Sequence, residues 1–428
     1  MNKTTVKYTA ENNLCCGCGI CSGICPRDCI SWKREKGLYL PVIEESTCIG
    51  CGLCAAVCSG LGHAYMPADT AEAAVSGPVL ACFNAWSRDP ELRHVSASGG
   101  VVSTMIRALV MAGTYDGVFC LDSYDYRSQL KTRLYTAEDI EECWNGSNAP
   151  KSRYLPVSHE DAVRFIKGNR KARLILIGTS CAIRGLQAAV QKIGIPREQY
   201  LFIGLFCDKV FNYNVLTYFE DTYAAGKPVK ALHFKNKESG GWPGDMKFYP
   251  EMGEPFYVPL NERAKAKAYF MPERCLYCVD KLNVCADISL GDNYTGKDES
   301  KLGSNSVIIR TQAGMDAWKR IQDQLEIRAV DLTDIQNAQV ITRRLDNLYF
   351  GDLREEINDL NPGIPRDKEV SGFAKQWKAA LRCIHAGGVY HQDPSVLKKQ
   401  LQKDNKKPNP VIRFVRRAMG FIKRRILR

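Results

Sequence analysis

The sequence predicts an α/β core, with a small cysteine-rich α+β unit before it and a helical extension after it. Three observations carry that reading. Eight of the 19 cysteines fall in two regularly spaced runs within the first 60 residues. From residue 79 to 330, short apolar runs alternate with amphipathic helical patterns, which is how a helix-covered α/β sheet reads in sequence. Beyond 330 the periodicity is mainly helical. At 428 residues there is room for two or three cores. Composition divides the chain into 1–66, a small polar linker at 67–78 (PADTAEAAVSGP), the core at 79–330, a helical part at 331–395 and a basic tail at 396–428.

The first unit is written by Cys15-x-x-Cys18-x-x-Cys21-x-x-x-Cys25-Pro26 and Cys48-x-x-Cys51-x-x-Cys54-x-x-x-Cys58. A cubane iron–sulfur cluster takes four thiolates. Three cysteines at two-residue gaps wrap one cube, and in two-cluster bacterial ferredoxins the fourth serves the other cube. The spacing therefore predicts a ferredoxin-like unit in which Cys15, Cys18, Cys21 and Cys58 hold one 4Fe-4S cluster and Cys48, Cys51, Cys54 and Cys25 the second. A zinc site or a disulfide framework fits less well, because zinc seldom uses two identical four-cysteine runs and disulfides belong to oxidising compartments. Between the runs, Leu38 to Ile43 reads as a strand.

In the core, Val79 to Ala85, Gly117 to Leu121, Leu174 to Ile177 and Leu201 to Leu205 read as strands, the last two within a parallel sheet, and Val101 to Met111 as a helix with one buried face. Ser98, Gly99 and Gly100 precede that helix. Such a start either caps the helix or offers backbone N–H groups to a phosphate. Residues 306 to 324 predict a further strand (SVIIRT) and helix. Cys181 and Cys207 follow two of the strands, at the sheet edge where ligand sites gather. Cys275-x-x-Cys278 has the gap of a metal pair or a redox dithiol, with Cys285 close behind. An ordinary buried thiol is the alternative for Cys181 and Cys207.

Six segments in order, SASGGVVSTMIRALVMAGTYDGV, GSNAPKSRYL, GTSCAIRGLQ, GLFCDKV, HFKNKESGGW and RCLYCVDKLNVCADISLGD, resemble the beta subunit of the coenzyme F-420 (deazaflavin) hydrogenase/dehydrogenase family over residues 80 to 330. The resemblance implies an α/β flavoprotein core with FAD beside a third 4Fe-4S cluster, fused to the bacterial-ferredoxin-like domain. It assigns Cys181, Cys207, Cys275 and Cys278 to that cluster and Ser98, Gly99 and Gly100 to the flavin phosphates. It also puts Ser147, Lys151, Ser152, Gly178, Thr179, Lys235 and Lys237 around the flavin. At Cys285 the sequence departs from the family's aliphatic residue, leaving open a set of Cys275, Cys278 and Cys285 with one of Cys181 or Cys207. Seven cysteines remain (Cys16, Cys29, Cys82, Cys120, Cys143, Cys285 and Cys383), and most read as small buried hydrophobes.

The formal charge of +12 is concentrated in residues 396–428, which hold twelve Lys or Arg against one acid, Asp404. The rest is nearly neutral, so no nucleic-acid partner is expected. Val411 to Arg428 sorts into an apolar and a cationic helix face, the pattern of a segment lying on an anionic membrane surface, or of a helix docked on a protein. No run is long and apolar enough to span a bilayer, so the expected location is the cytoplasm, peripheral on the inner face of the membrane. Together these readings predict an FAD- and 4Fe-4S-dependent oxidoreductase. Its donor would be soluble, ferredoxin or a deazaflavin coenzyme, and its substrate organic. The resemblance extends to bacterial accessory enzymes of cell-surface polysaccharide assembly. The competing reading is a non-catalytic electron-transfer subunit, one that feeds a partner enzyme. No catalytic acid is assigned; His94 and His233 are candidate proton donors, but neither sits in a motif that marks an acid.

Overall fold

The computed structural model describes residues 5–62, 64–122, 128–143, 152–354, 357 and 359–406. Its centre is a mixed sheet of nine strands. Their spatial order is Leu325–Ala329, Ala81–Ser87, Asn305–Ile309, Ile288–Asp292, Tyr200–Leu205, Leu174–Thr179, Gly117–Leu121, Leu130–Tyr135 and Val157–Ser158. The four strands from Ile288–Asp292 to Gly117–Leu121 are parallel. The parallel pairing expected of the strands before Cys181 and Cys207 holds, while Asn305–Ile309, Ala81–Ser87 and Leu325–Ala329 pair antiparallel on one flank and Leu130–Tyr135 pairs antiparallel with Gly117–Leu121 and parallel with Val157–Ser158 on the other.

The parallel strands are mainly apolar because helices cover both faces. Ile175, Ile177, Leu201 and Ile203 pack with helix Val101–Met111 and Trp318 of helix Gln312–Lys319. The alternate residues Leu174, Leu176, Tyr200 and Phe202 pack with helices Glu160–Gly168 and Ser180–Ile193. A separate antiparallel sheet, Val229–Asn236, Asp245–Pro250 and Phe256–Val258, was not legible in sequence, since register shifts between Asp245 and Lys247 and between Tyr249 and Pro250 break its alternation.

The N-terminal unit is a hairpin, Ile30–Glu35 with the anticipated Leu38–Ile43, and three short α-helices, Lys7–Glu11, Ile20–Ile24 and Leu53–Ala56, the last two beginning within a cysteine run. It is packed onto the rest. Ile20, Ile24 and Val57 join the core on the Leu174 face of the sheet, and Leu14 joins Tyr277, Phe350 and Ile384. Where composition suggested a linker at 67–78, the chain forms helix Ala71–Ser76, capped by the Thr70 hydroxyl on Ala73 N, with Val75 buried beside Leu282 and Ile335. A helix of small residues is easily mistaken for linker composition.

The helical periodicity after 330 is realised as Leu332–Gln339, Ile341–Arg344, Asp346–Asp352, Ala374–Gly388 and Pro394–Lys406. The last of these docks on the body through Leu397 and through Asp404, which accepts from Tyr269 Oη at 2.9 Å. The amphipathic segment 411–428 lies outside the described residues. No described helix is long and apolar enough to cross a membrane.

Candidate functional site

A cavity of about 470 Å³ opens at the C-terminal edge of the parallel strands, walled by Gly178, Thr179, Leu205 and Asp292 from the sheet. Adjacent strand ends place Cys181 and Cys207 side by side: Gly178 pairs with Gly204 and Thr179 with Leu205. Cys181 lies in the first turn of helix Ser180–Ile193, its Sγ 3.4 Å from Thr179 Oγ1. Cys275 and Cys278 stand on and just after the short helix Glu273–Tyr277. Asn347 of the C-terminal helices fixes that turn by donating to Cys278 O at 2.8 Å, and Asn361 donates to Tyr277 O at 3.1 Å.

All four thiols line the cavity, and Cys207 lies within electrostatic reach of Cys181, Cys275 and Cys278. Cys285 does not join them. Its neighbours are Arg184, Asp280, Arg310 and Arg197, and its carbonyl accepts from Gln187 at 2.6 Å.

A buried ion pair locks these elements. Arg184 donates to Asp280 Oδ2 at 2.6 Å, with the side chains 7% and 2% exposed, and its guanidinium lies over the Tyr65 ring. Asp280 follows Cys278 closely, and its carbonyl accepts from Ser180 Oγ at 2.8 Å. The N-terminal unit reaches the same point. Ser59 Oγ donates to Cys181 O at 2.7 Å, and Arg274 donates to the carbonyls of Ser59 and Gly60.

In that unit the thiols of Cys15, Cys18, Cys21 and Cys58 form one neighbourhood, which also senses Cys181. Cys25, Cys48, Cys51 and Cys54 line a second, small recess. Among the described residues no three His, Cys, Asp or Glu side chains close on a single-ion position. A cubane, bound at its corners, spaces its thiolates more widely than one ion does, and all-thiol donor sets suit iron–sulfur clusters.

Two cysteines counted as buried hydrophobes in sequence prove to face ligand candidates. Cys16 lines the cavity and hydrogen bonds Cys181, which lowers the Cys181 thiol to about 6. Cys29 Sγ lies 3.5 Å from Cys25 Sγ. Cys82, Cys120 and Cys383 are buried as expected, though Cys120 reaches the cavity wall and Cys383 Sγ lies 3.8 Å from Asp404 Oδ2, and Cys143 is not described at side-chain level.

At the other end of the cavity the glycine-rich helix start is held from beneath. Ser98 Oγ donates to Ser304 O at 2.8 Å, Gly100 has φ +84° where a side chain would be strained, and a Cβ on Gly99 would come within 3 Å of Ala85 O and Asn305 Oδ1. Lys237 donates to the carbonyls of Arg93, Ser98 and Leu302, so it fixes this loop. Lys235 is paired with Asp292 at 2.6 Å, and Asp292 also accepts from Trp242. Burial opposes ionisation of Asp292, but Lys235 and these hydrogen bonds outweigh it and hold the carboxyl below its ordinary value. Ser152 lines the cavity; Ser147 and Lys151 lie outside the described residues.

His94 is exposed, and His233 packs on Tyr249 away from the cavity. The histidine that does line it is His159, 3% exposed, held by its backbone N–H on Cys18 O, with Nδ1 unpartnered among the described residues. Burial pushes its imidazole down to about 4. No motif marks His159; it follows the two-residue strand Val157–Ser158, too short to read from periodicity.

The family described as "Coenzyme F420 hydrogenase/dehydrogenase, beta subunit" matches with its N-terminal part over residues 82–164 and its C-terminal part over 171–335. One of the F(420)H(2) dehydrogenase subunits of Methanosarcina mazei is 24% identical over 325 residues, covering 74% of this chain and 85% of that protein. The beta subunit of coenzyme F420 hydrogenase from Methanosarcina barkeri is 23% identical over 253 residues, 57% of this chain and 79% of that one. A chain of the F420-reducing [NiFe] hydrogenase complex from Methanosarcina barkeri superposes with TM-score 0.50 at 22% identity, covering 68% of this chain and 96% of that chain, which places the two in one fold. With more than half of its residues matched, the chain belongs to the coenzyme F420 hydrogenase/dehydrogenase beta-subunit family.

Proposed function

We propose that this chain is an iron–sulfur flavoprotein oxidoreductase, taking electrons from ferredoxin or a reduced deazaflavin at its N-terminal cysteines and passing them to an organic substrate at the cavity. One observation carries the reading: Cys18 of the first run, the four core cysteines and the glycine-rich helix start wall a single cavity. Cys15, Cys18, Cys21 and Cys58 would hold one 4Fe-4S cluster, Cys25, Cys48, Cys51 and Cys54 a second, and Cys181, Cys207, Cys275 and Cys278 a third. FAD would fill the remaining space. A bound flavin exchanges single electrons with clusters and electron pairs with organic substrates.

The chain's own part is placement. The Arg184–Asp280 pair and Ser59 hold the two cysteine neighbourhoods together. Val101, Ile106 and Leu290 supply apolar wall, which excludes water and strengthens each polar contact inside. The name of the Methanosarcina mazei relative favours reduced deazaflavin as donor. Both relatives are named as subunits, which favours the second reading, an electron-transfer subunit, delivering to a partner enzyme. A role in cell-surface polysaccharide assembly, with residues 411–428 on an anionic membrane surface in the cytoplasm, is the setting we propose.

Anaerobic stopped-flow mixing with reduced deazaflavin or reduced ferredoxin tests the donor. Bleaching of the cluster and flavin absorbance by one of them on a turnover timescale is expected, and bleaching by neither would overturn the reading. Sedimentation with anionic liposomes is expected to fall when residues 411–428 are deleted; undiminished binding removes the tail's anchoring role.

A further inference from the structure

Beside the core cysteines the cavity wall carries more positive charge than the chain neutralises. Of its cations, Arg184 is matched by Asp280 and Lys235 by Asp292. Arg274 faces Cys58 and Cys181. Arg153 has a partner of its own, and Lys209, Lys267, Lys281 and Arg344 are left around the carboxylate of Asp208, the remaining acid among the described lining residues. Lys267 Nζ stands 3.9 Å and Arg344 Nη1 3.6 Å from Asp208, both longer than a hydrogen bond.

Arg344 is 8% exposed, yet its Nε has no partner among the described residues. A buried guanidinium N–H without an acceptor is costly, as are like charges crowded in a partly desolvated wall. The thiolates of a core cluster would answer Arg344, which faces Cys207, Cys275 and Cys278. They answer Lys209 only in part, through Cys275, and no cysteine is among the partners of Lys281; the principal attraction of both lysines is to Asp208. Lys281 Nζ is further held at the wall by Gln339 O at 2.6 Å, and Lys267 Nζ lies 5.4 Å from the Tyr154 ring centre.

We propose that Lys209, Lys267, Lys281 and Arg344 form an anion-binding subsite, taking the phosphate or carboxylate groups of a small molecule at the cysteine end of the cavity. The charge argument stands without a flavin; the subsite's part in turnover rests on the redox reading above. Two sources offer this chemistry, the diphosphate of a dinucleotide cofactor and an acidic substrate.

The test uses the full chain purified anaerobically, with iron and flavin counted in each variant. Inorganic pyrophosphate is the probe, followed by calorimetry on flavin-free and FAD-loaded protein. The subsite predicts binding to wild type that weakens at least tenfold in the Lys209→Gln/Lys281→Gln double variant and is kept in Lys281→Arg, with the exposed Lys230→Gln as control. If FAD competes with pyrophosphate, and the double variant loses FAD but still binds riboflavin, the cofactor's diphosphate is the occupant. If FAD-loaded protein still binds pyrophosphate, the subsite belongs to an acidic substrate. Equal affinity in wild type and double variant at normal iron content, or no binding in either form, overturns the proposal. Lysine-dependent pyrophosphate binding in a chain that takes up no flavin would keep the subsite and remove the flavin reading.

Discussion

In the N-terminal unit the thiols that meet are close in sequence, two runs of eleven residues with a hairpin between them. In the core, Cys181, Cys207 and the Cys275–Cys278 turn come from segments up to about a hundred residues apart and meet only where parallel strands end. A local spacing rule therefore announces the first arrangement, whereas the second exists only if the sheet, the Arg184–Asp280 pair and the Asn347 clamp all form. The N-terminal thiols should depend on their own loop, and the core thiols on the whole fold.

The largest expected effect separates the two. Replacing Cys275 and Cys278 by Ser should remove about 4 iron atoms per chain and leave the N-terminal clusters' spectrum, since each cubane carries four irons. Cys285→Ser should leave the iron content unchanged; its loss of iron would return Cys285 to the ligand set.

Breaking the lock comes next. Arg184→Ala strands Asp280 in a site where it is 2% exposed, so it should cost about 3–5 kcal/mol in denaturant unfolding. It should also lower the iron content of the core before that of the N-terminal unit. A loss below about 1 kcal/mol, the range of surface ion pairs, would remove the pair from the account.

His159→Leu sharpens the comparison from the other side. Removing a buried polar atom that lacks a partner should leave the cofactor-free protein as stable or more stable, by about 1–3 kcal/mol. Destabilisation of that size would show that Nδ1 is satisfied within the fold.

The smallest effect lies away from both cysteine regions. Glu238 is held down to about 2, chiefly by its hydrogen bond from Lys247. Its folded value is below its unfolded one, so its contribution is present above about pH 4.3 and lost as pH falls towards 2. Glu238→Gln should flatten that part of the stability–pH curve.

What was legible in sequence follows the same division. The strands Gly117–Leu121, Leu174–Thr179 and Tyr200–Leu205 and the helix Val101–Met111 stood out because each buries a continuous run or one helical face. The antiparallel flanks did not, because an apolar run does not state the direction of its neighbour. Cys16 and Cys29 read as ordinary buried thiols, and only tertiary placement shows one beside Cys181 and the other beside Cys25. The charged wall at Lys209, Lys267, Lys281 and Arg344 was equally invisible, its members lying in four separate stretches of chain. Lys237, read as a flavin contact on resemblance, spends its donors on three backbone carbonyls.

The central claim is that the core adds its own cluster and a flavin to the pair in the N-terminal unit. Counting iron, sulfide and flavin per chain after anaerobic purification tests it most directly. The account predicts about 12 iron atoms, from three cubanes, and one FAD per chain. About 8 iron atoms with no flavin would leave the N-terminal pair intact and contradict the redox role given to the core.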